Sequence, residues 1–162
     1  MRDSNQPRLF GPARIGPVTL KNRVIMAPMT TRKADAEGFV TEAGIAYYRA
    51  RAQGGVGLVT VEMAAPEPAG KHRNFELGLH DERFLPGLAR LASAIHEAGA
   101  KAAIQIGHGG GHTRIDIAGV TPIAPSAIPH SVQEGHTEVI VPEAMSLARI
   151  AQTVRSFAEA AQ

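Results

Sequence analysis

The sequence predicts an α/β fold built on parallel strands, and three observations lead there. Three short apolar runs, RVIMAPM (23–29), GVGLVTVEMAA (55–65) and KAAIQIG (101–107), are rich in β-branched residues and bounded by Gly, Pro or polar residues. That is the pattern of strands buried on both faces. Amphipathic helical patterns lie between the runs, and another follows the last. The order is β-α-β-α-β-loop-α, which calls for parallel strands joined by right-handed crossovers.

Each element has its own signal. Ahead of the first strand, ARIGPVTL places two short extended arms around Gly16 and Pro17, a small hairpin. The first helix, over about 41–53, sets Ile45, Tyr48 and Ala52 on one face and stops at Gly54 and Gly55. In the second, Phe84, Leu88, Leu91, Ala92 and Ile95 make one stripe; Asp81 caps the start and Gly99 ends it. Pro86 is tolerable because it falls in the first turn. A third helix begins near Ser146, with Leu147, Ile150, Val154, Phe157 and Ala161 in register. The connection over 107–145 is long and rich in Pro, Gly and Ser, a length that usually carries function. No glycine, proline or basic last turn closes the third helix before Gln162. A fourth strand should follow such a helix, so the chain reads as the opening part of a larger architecture.

Composition narrows the function. With 44% apolar residues in 162, the chain can build one ordinary core. Seventeen basic against fifteen acidic residues leave a net of +2, scattered rather than clustered, so no nucleic-acid partner is expected. Without cysteine there are no disulfides or thiolate metal sites, which fits a reducing compartment. The apolar runs are too short to span a bilayer and MRDSNQPR is no signal peptide, so a cytoplasmic, membrane-free protein is expected.

The stretch QIGHGGGHTR (105–114) invites three readings. A GxGxxG phosphate cradle would need glycine at His112, and the following TRIDIAGV does not read as a helix. His108 and His112 have a metal-ligand spacing only on a helix, which three glycines oppose. His130 and His136 sit in another loop and add little, so no metal is expected. A strand-to-loop turn remains. Its first residue, Gln105, is the one uncharged polar side chain in its strand and offers both a donor and an acceptor. Ala27, Pro28, Met29 and Thr30 end the first strand, either as a plain turn or as backbone laid against a flat ring. Glu62, beside Met63 and Ala64 at the end of the second strand, suggests a general base. An internal ion pair is the simpler account, and Glu62 is not counted as catalytic.

Four blocks, LKNRVIMAPMTT, YYRARAQGGVGLVTVE, HEAGAKAAIQIGHGG and PIAPSAIP, stand in this order and spacing over residues 9–162. Together they resemble the flavin-dependent old yellow enzyme family. The bacterial NADH:flavin oxidoreductase branch, with its 2,4-dienoyl-CoA and 2-enoate reductases, is the most similar. The resemblance implies a TIM (β/α)8 barrel with FMN at the C-terminal mouth. Residues 1–162 would be its N-terminal part, the first three βα units preceded by a short hairpin, since a whole barrel takes about 250 residues.

The same resemblance assigns roles. Thr30 would lie near flavin O4 and N5 as the catalytic hydroxyl, at a position some relatives fill with cysteine. Ala27, Pro28, Met29, Met63 and Ala64 would contact the cofactor, and Gln105 would hold the pyrimidine edge. His108 matches a family histidine, as a loop brace or as a substrate contact. An arginine that relatives carry after this histidine is missing here, where Gly111 stands. The implied activity passes hydride from NAD(P)H through FMN to an α,β-unsaturated carbonyl. The implied partners are a small enone or enoate substrate and either the missing part of the barrel or a second copy. An inactive half-barrel serving as a binding module, and an amine-oxidising flavoprotein on the same scaffold, stay open.

Overall fold

The computed structural model describes residues 7–131 and 139–162. A one-turn helix α1 (Pro7–Phe10) leads into a hairpin of β1 (Ala13–Ile15) and β2 (Val18–Leu20), turned at Gly16 and Pro17. There follow β3 (Ile25–Met26), α2 (Glu42–Gln53), β4 (Leu58–Ala65), β5 (Leu77–Gly78), α3 (Leu85–Glu97) and β6 (Lys101–Ile106). The long connection then carries α4 (Ile115–Ala118), β7 (Ile123–Ala124), β8 (His130–Ser131), β9 (Val139–Ile140) and β10 (Glu143–Ala144) before α5 (Leu147–Ala160).

Strand β4 is the centre of a four-stranded parallel sheet. β6 pairs along nearly its whole length, from Leu58↔Lys101 to Ala64↔Ile106. On the opposite edge β3 pairs with its start and β5 with its end. The helices begin where the side chains allow. Thr41 Oγ1 accepts from the Gly44 amide at 3.1 Å and caps α2. Asp81 caps a 3-10 turn over Glu82–Phe84 that runs into α3, with Pro86 in the first turn. Ser146 accepts from the Arg149 amide at 3.2 Å at the start of α5.

Helices α2 and α3 cover one face of the sheet. Ile45, Tyr48 and Ala52 of α2 and Leu91, Ala94 and Ile95 of α3 pack on Val59 and Val61 of β4, with Met26, Ala102 and Ile104 against them. The alternate residues lie on the other face: Ile25 is 47% exposed, and Ala103 and Gln105 are exposed too. Among the described residues the sheet is therefore buried on one face, where the unbroken apolar runs predict burial on both.

Three further expectations are corrected. The first strand is two residues long, not the whole of 23–29: only Ile25 and Met26 pair with β4, Asn22 Nδ2 ties the approach to Gly55 O at 2.7 Å, and Pro28 beyond has no amide for the ladder. The stripe on α5 is in register but not buried, with Leu147 86% and Val154 64% exposed. TRIDIAGV does form a helix, the single turn α4, which Gly119 closes in the left-handed region. Among the described residues no helix is long and apolar enough to cross a membrane.

Candidate functional site

The C-terminal ends of β3, β4 and β6 converge with the loops that follow them. What each side chain faces is decided by an irregularity in β4. The register with β6 shifts between Val61 and Met63, so Glu62 is an extra residue. The bulge lets Val61 and Glu62 both turn toward the helices. Met63 then takes the open face, opposite Gln105.

Glu62 is 2% exposed, and four donors surround its carboxylate. The Thr31 amide donates to Oε2 at 2.6 Å and the Arg32 amide at 3.3 Å, while the Tyr48 hydroxyl donates to Oε1 at 3.2 Å. Thr31 Oγ1 donates to the same Oε1. The Tyr48 oxygen in turn accepts from the Glu62 amide at 2.9 Å. Burial, with the carboxylate nearby, pushes the Tyr48 hydroxyl far above its ordinary range and keeps it protonated. Glu62 is therefore satisfied by hydrogen bonds, not by the internal ion pair that the sequence suggests. No cation is needed where four N–H and O–H groups aim at one carboxylate. The arrangement holds Arg32 at φ 53°, a left-handed conformation rare for a non-glycine residue. It also fixes the loop just past Thr30.

Thr30, Met29 and Ala27 are exposed at the end of the β3 arm and Pro28 is half-buried. Gln105 is exposed on the open face of β6, and neither its carboxamide nor the Thr30 hydroxyl bonds another described residue. Ala64 is fully buried on the helix side, and its carbonyl accepts from the Gly107 amide at 3.1 Å. The structure thus brings Met63, Gln105 and Gly107 together. Strand β4, which carries Met63, separates Gln105 and Gly107 from the arm that carries Thr30.

His108 turns into the loop. Its Nε2 lies 3.0 Å from Glu67 Oε1, and its Nδ1 accepts from the Gly110 amide at 2.8 Å. Burial holds its pKa below the ordinary histidine value; Glu67 pulls it up and Arg149 pushes it down. The glycines form a 3-10 turn over Gly110–His112, and His112 is exposed. His136 lies outside the described residues.

Sequence reasoning missed two residues of this region, Tyr48 and Glu67. Tyr48 reads as one more apolar position on α2. Glu67 had a signal in its setting, a carboxylate between two prolines directly after a buried strand.

What such a site can do follows from its donors. Past the strand ends the chain exposes one amide able to donate and accept and one hydroxyl able to donate. That suits the edge of a planar heteroaromatic ring laid against β3, β4 and β6.

Known proteins place the chain. It is 38% identical over 157 residues to an NADH oxidase of Thermoanaerobacter brockii, covering 96% of this chain and 23% of that protein. An old yellow enzyme homologue from Zymomonas mobilis superposes with a TM-score of 0.84 at 28% identity, over 96% of this chain and 44% of its own. A 2-naphthoyl-CoA reductase superposes at 0.86 with 28% identity, over 95% of this chain and 25% of its own. The chain thus spans from under a quarter to under half the length of these relatives, and its fold is the N-terminal α/β portion of their barrel. The model of the NADH:flavin oxidoreductase / NADH oxidase family matches residues 8–162, and the chain belongs to that family.

Proposed function

We propose that this chain forms part of the flavin site of an FMN-dependent oxidoreductase that takes hydride from NAD(P)H and reduces an α,β-unsaturated carbonyl. One observation supports this above the others. Gln105 on β6 and Thr30 in the loop that follows β3, to either side of β4, expose polar groups with no partner among the described residues. Barrel enzymes place their chemistry at the C-terminal ends of their strands, and an exposed amide and hydroxyl there are available to a ligand.

The residues fit the ring of FMN. When bound, FMN supplies the hydride chemistry, and the chain supplies position and electrostatics. In our reading the Gln105 carboxamide donates to and accepts from the pyrimidine edge. Thr30 donates its hydroxyl near O4 and N5 as the catalytic group. Ala27, Pro28 and Met29 lie along the ring beside β3, and Met63 and the Ala64 backbone lie beside β4. Donors fixed on a sheet stabilise negative charge on the reduced ring without reorganising. For His108 we favour the loop brace over the substrate contact, because both ring nitrogens are engaged within the chain. The similarity to a reductase of a CoA thioester supports the dienoyl-CoA-type branch for the substrate class.

The test joins this chain to the remaining strands of a barrel of the same family. Flavin loading and NAD(P)H-dependent reduction of an enone are then measured. A colourless, folded barrel would sink the reading; a yellow barrel that oxidises amines but leaves enones untouched would redirect it.

A further inference from the structure

Glu67 follows β4 directly, between Pro66 and Pro68, and is 7% exposed. A carboxylate at that depth needs several bonds to be tolerated. They come from two distant segments. Oε1 accepts from His108 Nε2 at 3.0 Å and from Thr153 Oγ1 at 3.1 Å, and Oε2 accepts from Arg149 Nη2 at 2.7 Å. Arg149 Nη1 also donates to Thr153 Oγ1 at 2.7 Å, so the single hydroxyl proton of Thr153 is the one given to Glu67.

This fixes the state of His108. Because Nδ1 accepts from the Gly110 amide, it carries no proton, and Nε2 must be the protonated nitrogen that faces Glu67. The ring is also fixed in space. It packs on Gly70, where a Cβ would fall 2.9 Å from Cδ2. Around it the Gly109 amide donates to Gly70 O at 2.8 Å, and Thr113 Oγ1 donates to Ala69 O at 3.3 Å. The loop after β4 and the turn after β6 are thus one bonded unit, with Glu67 at its centre.

We propose that Glu67 is a positioning residue for Gln105. Together with the Gly110 amide it sets the tautomer and place of His108; His108 holds the 107–110 turn; the turn fixes the end of β6 from which the carboxamide projects. Through Arg149 and Thr153 the same carboxylate ties α5 to that turn, although α5 has no buried residue of its own. The consequence for cofactor binding rests on the reading of Gln105 given above. The linkage from Glu67 to Gln105 does not, since it belongs to the chain without ligand.

The test is NMR on the isotope-labelled chain. Wild-type His108 should show a single tautomer, protonated at Nε2 and bare at Nδ1. Glu67→Gln keeps an acceptor for that proton and should keep the tautomer; Glu67→Leu should let the ring average between tautomers. In Glu67→Leu the Gln105 carboxamide and the 107–110 amides should shift, while the amides of α2 and α3 stay in place. Addition of FMN, followed on the Gln105 carboxamide, should show affinity reduced on the order of tenfold, as when the partner orienting a metal-binding histidine is lost. A proton on Nδ1 in the wild type would overturn the proposal even if Glu67→Leu failed to fold. Unmoved Gln105 signals in a folded Glu67→Leu would overturn it too. If those signals move while FMN affinity is unchanged in both Glu67→Leu and Gln105→Leu, the linkage stands and the cofactor role of Gln105 falls.

Discussion

The thioether of Met63 lies across Gly107, so close that a Cβ built on that glycine would fall 2.3 Å from Sδ and 2.4 Å from Cγ. The glycine run after β6 thus has a packing reason at its first position. It gives Met63 room on the face it shares with Gln105. Gly107→Ala should destabilise the chain by about 1–3 kcal/mol, the usual cost of overpacking. Methionine is flexible and can yield, which favours the lower end. Adding Met63→Ala should recover most of the loss. Urea unfolding of both single variants and the double variant checks this; additive losses would show that the two side chains do not compete for space.

A second prediction concerns the bulge in β4. Tyr48 is 1% exposed and bonds both the amide and the carboxylate of Glu62. Tyr48→Phe keeps the ring but leaves a buried N–H without its acceptor and the carboxylate with one donor fewer. The expected loss is about 1–3 kcal/mol in urea unfolding. Thr31 and Arg32 should also show faster amide exchange, since Glu62 holds both. Unchanged stability and exchange would mean that the carboxylate does not depend on Tyr48.

How legible was this in the sequence? The parallel α/β order, the hairpin and the three main helices follow from periodicity and caps, because Thr41, Asp81 and Ser146 act through local bonds. Gln105 stood out because a strand-borne amide in an apolar run is conspicuous. The carboxylate hubs were harder to see. Glu62 turns toward the helices only because a bulge adds one residue, and single-residue register shifts leave no trace in composition. Glu67 gains partners at positions 108, 149 and 153, contacts too distant in sequence for any local pattern to carry. The one-turn helix α4 was hidden for a similar reason. Four residues are too few to show a helical period.

A third prediction follows from two histidines. Burial holds both His108 and His80 below the ordinary histidine pKa near 6.5. The charges of Glu67, Glu76 and Arg149 act on His108, with the carboxylates raising its pKa and the guanidinium lowering it. Each ring binds a proton less readily in the folded chain, so on acidification the unfolded chain takes up its proton first. Stability from these groups is fully present above about pH 6.5 and is lost as pH falls toward their folded pKa. Melting temperature should therefore be lower at about pH 5.5 than at about pH 7.5. His108→Gln should flatten that difference, and an equally steep profile in this variant would assign it elsewhere.

The fourth concerns association. Among the described residues β6 pairs only with β4, so its outer edge offers unpaired donors and acceptors. Elsewhere α5 exposes Leu147 and Val154, and the open sheet face exposes Ile25. An unpaired edge together with exposed apolar surface favours joining another copy or further strands. Sedimentation of the chain alone should show concentration-dependent association, weakened by Val154→Glu. A compact monomer at every concentration would refute this.

The last prediction is made for Gln105 in a barrel completed around this chain. If the carboxamide holds the pyrimidine edge of FMN, Gln105→Leu keeps approximate size but leaves ring acceptors and a ring donor unpaired. An unpaired buried polar group costs roughly 1–3 kcal/mol, and more where the partner is charged. The reduced flavin is the charged form, so the variant should disfavour it more than the oxidised form. The midpoint potential should therefore fall by order of tens of millivolts, since about 30 mV corresponds to 1.4 kcal/mol for a two-electron couple. His108→Ala should shift the potential less, because it reaches the ring only through the turn that orients Gln105. Spectroelectrochemistry of the wild type and both variants decides it. A potential unmoved by Gln105→Leu would leave that amide without a role at the flavin. A larger shift for His108→Ala than for Gln105→Leu would place the histidine at the ring itself.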